Sequence, residues 1–456
     1  MPWKRNDDRK AGISRLDRIR SGPNRLPARG QNKRLTRRKQ GESPPGTTPR
    51  RVPARLILGR MNICAQPGLA EALEAELRHG PIPFKHFMEL ALYHPEGGYY
   101  RQPSPRTGRG GDFKTSPHQS RWFGAMVARQ AVEIWRAMGR PAAFSLFEFG
   151  PGEGWLAHDI LDAIETGAHG PLAEALEYVL IEQSPPATGR IASRLARWME
   201  GAPGRPRARL DIPGPGHSEL PGQISGLVIA HEFLDALPVH LLVQTEAGLA
   251  ERHVELRAGK LSFCEGPLSD GRLDGWFAGL GVALRPGQAA EVCLPALEWI
   301  EAVGRRMQKG GVLLFDYGFS SQVLYHPSRM EGTIRGYRQH AMTLDPLEKP
   351  GETDLTAHVD YSSILKTAES LGLSLGGFTD QTHFLLGAGI AEAMEQDTED
   401  MARAAAERRS AMGLLDPGGL GGAIKVMLLT KGLGETEFPA FSMKPGDRES
   451  LATLRG

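Results

Sequence analysis

The 456 residues carry 40% hydrophobic side chains and a net charge of only +2, enough for two ordinary domains or one large α/β domain with an insertion. No stretch approaches the roughly 18 consecutive apolar residues of a membrane span. Cys64, Cys264 and Cys293 are scattered and lack C-x-x-C spacing, which argues against a disulfide framework or a cysteine zinc site and for a soluble protein of a reducing compartment.

Charge is unevenly placed. Residues 1–60 hold 18 Lys and Arg against 4 Asp and Glu, leaving 37 against 49 for the rest. The body is therefore acidic, and a nucleic-acid groove within it is disfavoured. The leader is expected to be disordered. Three readings stay open for it: a targeting segment, a basic binding tail, or upstream sequence ahead of a true start at Met61.

From Met61 the pattern is orderly. Leu69, Leu73 and Leu77 share a helical face that Gly80 and Pro81 end, and PFKHFMELALYHP predicts a second helix. A glycine-rich loop, GRGGDFKTSP, follows, then a helix from about Arg121 to Met138. Beyond it, apolar runs (SLFEF, EYVLIE, GLVIAHE, GVLLFDYG, AIKVMLLTKG) alternate with helical stretches such as WLAHDILDAI and TGRIASRLARWM. That alternation predicts an α/β fold: a mostly parallel, Rossmann-like sheet with helices on both faces. We expect a helical N-terminal segment over 61–124, a core over 125–245 and 303–433, a hairpin-rich insertion over 246–302 suited to substrate selection, and a tail over 434–456. DPGGLGG at 416–422 reads as a loop.

The chemistry starts at FEFGPGEGWL. Gly150, Gly152 and Gly154 close a strand and open a helix, where backbone N–H groups can approach a ligand that a Cβ would exclude. A dinucleotide fold wants its third glycine where this chain has Trp155. The spacing is instead G-x-G-x-G after Glu148, which resembles the signature of class I methyltransferases that bind S-adenosylmethionine. Glu148 is the candidate for the methionine end of that cofactor. Glu182, ending the next strand, is the candidate for its ribose hydroxyls. Asp112, Thr115 and Ser116 of the glycine-rich loop could close over it; Phe113, Trp122 and Phe123 read as core rather than as adenine-stacking rings.

In HEFLDALPVH, Glu232 and Asp235 lie at a strand's carboxyl end, where open sheets bind ligands. Paired acids there suit a guanidinium acceptor, although Asp235 could equally cap a helix. Asp354, His358 and Asp360 fit no metal template, so no metal is expected, and His358 reads as a general base or a wall.

Taken in order, PIPFKHFMELALYHPEGGYY, GDFKTSP with RWFG, FEFGPGEGWLAHDIL, HEFLDALPVH, LLFDYG, GTIRGYRQH and DLTAHVDYS resemble the MidA family over about residues 61–433. The resemblance implies a class I methyltransferase fold, S-adenosylmethionine as donor, and symmetric dimethylation of an arginine in a respiratory complex I subunit. It implies the mitochondrial matrix for a eukaryotic member and the cytoplasm for a bacterial one. Family members commonly show Asn-Glu where this chain has His231 and Glu232, and an acid at His118. Two further readings stay open: a methyltransferase of a small molecule or another side chain, and an assembly scaffold that has kept the fold.

Overall fold

The computed structural model describes residues 64, 66–103, 115–167, 169–212, 222–339, 341–396, 401–443 and 454. The basic leader, Asp112 and Phe113 lie outside these residues.

Seven strands, numbered in chain order, build the central sheet: β1 (Phe144–Phe149), β2 (Leu176–Ile181), β3 (Arg207–Asp211), β4 (Ile224–His231), β5 (Met307–Phe319), β6 (Ser374–Asp380) and β7 (Ile424–Lys431). Their spatial order is 3-2-1-4-5-7-6, with Val359–Asp360 adding a short pairing on β5. β7 is antiparallel to both its neighbours, and the other neighbouring pairs are parallel.

The strands are apolar on both faces because both faces are covered. Leu146, Leu227, Ile229, Leu313 and Phe315 point into one core, against the helices Arg121–Ala137, Trp155–Thr166 and Pro185–Met199. Phe147, Val228, Val312 and Leu314 point into the other, against Leu294–Arg306 and Tyr361–Ser370. Leu314 is fully buried on the central strand β5. Its replacement by alanine should cost about 2–5 kcal/mol, read as a lower midpoint in urea unfolding.

A second sheet is built from four strands inserted between β4 and β5 and one that precedes β1. It runs Ile82–Pro83, Gly248–Arg257, His240–Thr245, Ala289–Val292, with Lys260–Gly266 paired to Gly248–Arg257. Hence the insertion starts at His240 rather than at 246. Leu294–Arg306, which a boundary at 302 would cut, is the crossover helix of the core, with Trp299 and Ile300 buried under the central sheet. The N-terminal helices Pro67–Leu77 and Phe84–Tyr93 pack on this second sheet through Leu73, Phe84, Phe87, Leu241 and Val254. DPGGLGG is not wholly a loop, since Leu420–Ala423 makes one helical turn before β7.

From β1 the chain winds towards β3, and from β4 it winds the opposite way towards β5. The crevice between the carboxyl ends of β1 and β4 is therefore the switch point, where doubly wound sheets bind their ligands. No helix among the described residues is long and apolar enough to cross a membrane.

Candidate active site

A cavity of about 340 Å³ opens at this switch point, within the size range of small-molecule sites. Its wall holds Gly150 and Gly152 after β1, Glu182 after β2 and Glu232 with Asp235 after β4. Tyr317 of β5 and His358 complete the carboxyl-end rim.

The three glycines serve different needs. All have left-handed φ: +63° at Gly150, +56° at Gly152 and +74° at Gly154. A Cβ on Gly150 would meet Phe233 Cδ2 at 3.0 Å, and one on Gly154 would meet Ile191 Cγ1 at 3.3 Å. On Gly152 it would meet nothing of the protein. Thus Gly150 and Gly154 serve backbone shape and packing, while Gly152 leaves room for a ligand; Gly154 itself does not line the cavity.

Glu148 and Glu182, both in the cavity wall, are buried. Glu148 accepts the Tyr178 hydroxyl at 2.8 Å. Burial pushes its pKa up to about 8, against the pull of the Tyr178 bond. Glu182 takes the Ser184 N–H at 2.7 Å. Burial raises it to about 7, opposed by the N–H groups of Ser184, Gly152 and Gln183. The glycine turn and the acid one strand away are therefore joined directly.

Glu232 stands in the left-handed region at φ +48°, uncommon for a residue with a Cβ. Its Oε1 is buried without a hydrogen bond. His231 Nε2 lies 3.4 Å away but is itself unbonded, and burial lowers His231 to about 3, so the pair is not ionic at neutral pH. Burial raises Glu232 to about 8, reinforced by Asp235 and opposed by the Ser116 N–H. Asp235, raised to about 7 by burial, caps no helix, because the next element is the strand His240–Thr245.

Other predicted residues take varied places. Thr115 lines the cavity and bonds His118 Nδ1 at 2.8 Å. Ser116 is fully buried away from the cavity, its hydroxyl donating to Gln381 at 2.7 Å. It fastens the start of the helix Ser116–Gln119 to Gln381 and presents no hydroxyl to the cavity. Trp122 and Phe123 belong to the core. His358 stacks beside Tyr317 at 6.4 Å between ring centres; burial lowers it to about 4, leaving a neutral wall. The Asp354–His358–Asp360 trio separates: Asp354 takes the Tyr100 hydroxyl at 2.9 and 3.1 Å, whereas Asp360 caps the helix Tyr361–Ser370. Among the described residues no cluster of His, Cys, Asp and Glu could hold a metal.

Sequence reasoning passed over Tyr93, Tyr100, Arg335 and Tyr337, which also line the cavity. Tyr93 and Tyr100 stack at 5.4 Å, and Tyr93 donates to the Ala236 carbonyl at 2.8 Å. The density of tyrosines in ALYHPEGGYY was the available signal.

A cradle that leaves Gly152 open, with acids ending β2 and β4, fits a cofactor that carries a ribose and a cationic sulfur. Known proteins agree. A family profile described as S-adenosyl-L-methionine-dependent methyltransferase matches residues 126–379. A mitochondrial protein from Drosophila melanogaster, named as a homolog of the protein arginine methyltransferase NDUFAF7, is 33% identical over 340 residues, 67% of this chain and 70% of its own. The Danio rerio NDUFAF7 is 32% identical, covering 69% and 75%. A Burkholderia thailandensis protein solved bound to S-adenosyl-homocysteine superposes with a TM-score of 0.74 at 28% identity, covering 85% of this chain and 96% of that one. The central sheet is thus the Rossmann-like sheet of a class I methyltransferase. With the family profile spanning over half its length, the chain belongs to the S-adenosyl-L-methionine-dependent methyltransferases.

Proposed function

We propose that this methyltransferase acts on arginine in a protein. The observation that carries the proposal is the buried, unbonded Glu232 Oε1 in a cavity that also holds Asp235 and Asp354. The Glu232 and Asp235 carboxyls gathered there suit a cationic acceptor. Relatives named as protein arginine methyltransferases support the same reading. So does the MidA resemblance, which implies symmetric dimethylation in a complex I subunit and, for a eukaryotic member, the mitochondrial matrix.

When bound, S-adenosylmethionine supplies a methyl group on a cationic sulfur. Glu182 would receive its ribose hydroxyls, the Gly150–Gly152 turn would hold it by backbone amides, and Glu148, held by Tyr178, would serve its methionine end. Thr115 closes the near side, while Asp112 lies outside the described residues. On the acceptor side the guanidinium, whose pKa exceeds about 12, must be held in the plane and lose a proton as it gains a methyl group. Glu232 and Asp235 hold its N–H groups, and Glu232 Oε1 takes the proton. Tyr93 and Tyr100 wall the cavity against water.

The test is incubation of the protein with radiolabelled S-adenosylmethionine and host lysate, followed by acid hydrolysis of labelled bands. Dimethylarginine in a protein band is expected. Label confined to small molecules, or to another amino acid, would overturn the arginine reading. Cofactor binding with no transfer at all would favour a scaffold.

A further inference from the structure

Asp316, at the carboxyl end of β5, is 1% exposed and does not line the cavity. Its Oδ2 accepts three consecutive backbone N–H groups, from Phe233 at 3.2 Å, Leu234 at 2.8 Å and Asp235 at 3.3 Å. Its Oδ1 accepts the Tyr317 N–H at 2.9 Å. Immediately before those amides, the Glu232 N–H still bonds to Phe315 O at 2.8 Å, as a strand residue would. The chain then turns at Glu232, with φ +48°, and winds around the Asp316 carboxyl. Tyr361 fixes that end of β5 from the other side, its hydroxyl donating to the Asp316 carbonyl at 3.2 Å.

A left-handed residue with a Cβ is strained and persists only where the surroundings over-determine it. Here the over-determination is visible. Relaxing Glu232 to an extended conformation would carry residues 233–235 away from Oδ2 and strand three donors, those of Leu234 and Asp235 in buried bonds. Both carboxyl oxygens are in use as acceptors, so an asparagine, with an NH2 in place of one of them, would turn a donor towards either the three amides or the Tyr317 N–H.

We propose that Asp316 is a positioning residue for methyl transfer: by gathering the amides of residues 233–235 it holds Glu232 in its strained turn and its carboxyl at the cavity. It acts through Glu232 and touches neither donor nor acceptor. The inference rests on Glu232 being the acceptor-side carboxylate, so the experiment separates the two.

Donor binding is measured with S-adenosyl-homocysteine by calorimetry, and methyl transfer to lysate protein with the radiolabelled donor, for Asp316→Asn, Glu232→Gln and the double variant. Asp316→Asn should bind S-adenosyl-homocysteine within about threefold of the parent, because Gly152 and Glu182 are untouched, yet lose at least about 30-fold in transfer. In the Glu232→Gln background the same change should cost less than about threefold, the non-additivity of residues acting as a unit. A full further loss in the double variant, or unimpaired transfer by Asp316→Asn, would overturn the proposal. Unimpaired transfer by Glu232→Gln would instead remove the acceptor reading beneath it.

Should Asp316→Asn fold poorly, Glu232→Gly supplies the second test. Glycine adopts φ +48° without strain, so the drop in melting temperature caused by Asp316→Asn should be smaller in Glu232→Gly than in the parent. An equal or larger drop would show that Asp316 supports the fold without holding the turn.

Discussion

Gly152→Val is expected to abolish S-adenosylmethionine binding and, with it, all label transfer. Two effects add. The backbone at φ +56° is one that a β-branched residue rarely adopts, a strain of roughly 1–2 kcal/mol or more. The new side chain would also project where no protein atom lies within 4 Å, into the space on the cavity wall that the turn leaves for the cofactor. Melting should fall modestly, because the protein interior is not invaded. Gly150→Val should behave differently, since its Cβ meets Phe233; there stability should fall along with binding. Gly189→Ala is the control. It lies exposed in the helix Pro185–Met199, with open space at its Cβ, so alanine should leave affinity unchanged and stabilise slightly. Equilibrium dialysis with labelled cofactor reads all three. Parent-like affinity in Gly152→Val would remove the glycine turn from the cofactor site.

That contrast among glycines shows what the sequence could and could not carry. The places of the G-x-G-x-G turn and of Glu182 at strand ends were legible because each depends on local pattern: an apolar strand, a turn and a helix within a dozen residues. The parallel strands were legible for the same reason, being near-continuous apolar runs. β3 escaped notice because, as an edge strand, Arg207–Asp211 alternates charged and apolar residues and buries only Ala208, and β6 because Gly376 and Gly377 interrupt it. Neither resembles a buried strand in isolation. Asp316 illustrates a deeper limit. In LLFDYG it looks like any strand-end acid, and its function exists only because the chain returns to place residues 233–235, more than 80 positions earlier, against it. Tyr100 and Asp354 meet across a still longer separation. Ser116 misled for the opposite reason: a serine after a glycine-rich loop looks available, yet tertiary packing spends its hydroxyl on Gln381.

Glu232→Gln should reduce methyl transfer by roughly 10²–10⁴-fold, the usual range for removing a general base, while S-adenosyl-homocysteine affinity stays near that of the parent. Glutamine keeps the shape of the side chain but cannot take the proton. The pH dependence follows from the same carboxyl. Burial raises Glu232 to about 8 in the free protein, so below that pH it carries a proton and cannot accept another. The limb of kcat/KM should therefore rise with pH up to about 8, with a slope of about one logarithmic unit per pH unit. In kcat the limb should move to lower pH, because a bound sulfonium and guanidinium favour the charged carboxylate. Stability carries the opposite sign. A carboxyl whose folded pKa lies above its ordinary 4.5 stabilises the fold below that value and loses this contribution as pH rises towards about 8. Glu232→Gln removes the loss, so at pH 8 the variant should melt no lower than the parent and should flatten the decline between pH 5 and 8. A residue kept for structure would behave otherwise. If transfer and melting temperature fell together in Glu232→Gln, Glu232 would be supporting the turn rather than serving the acceptor.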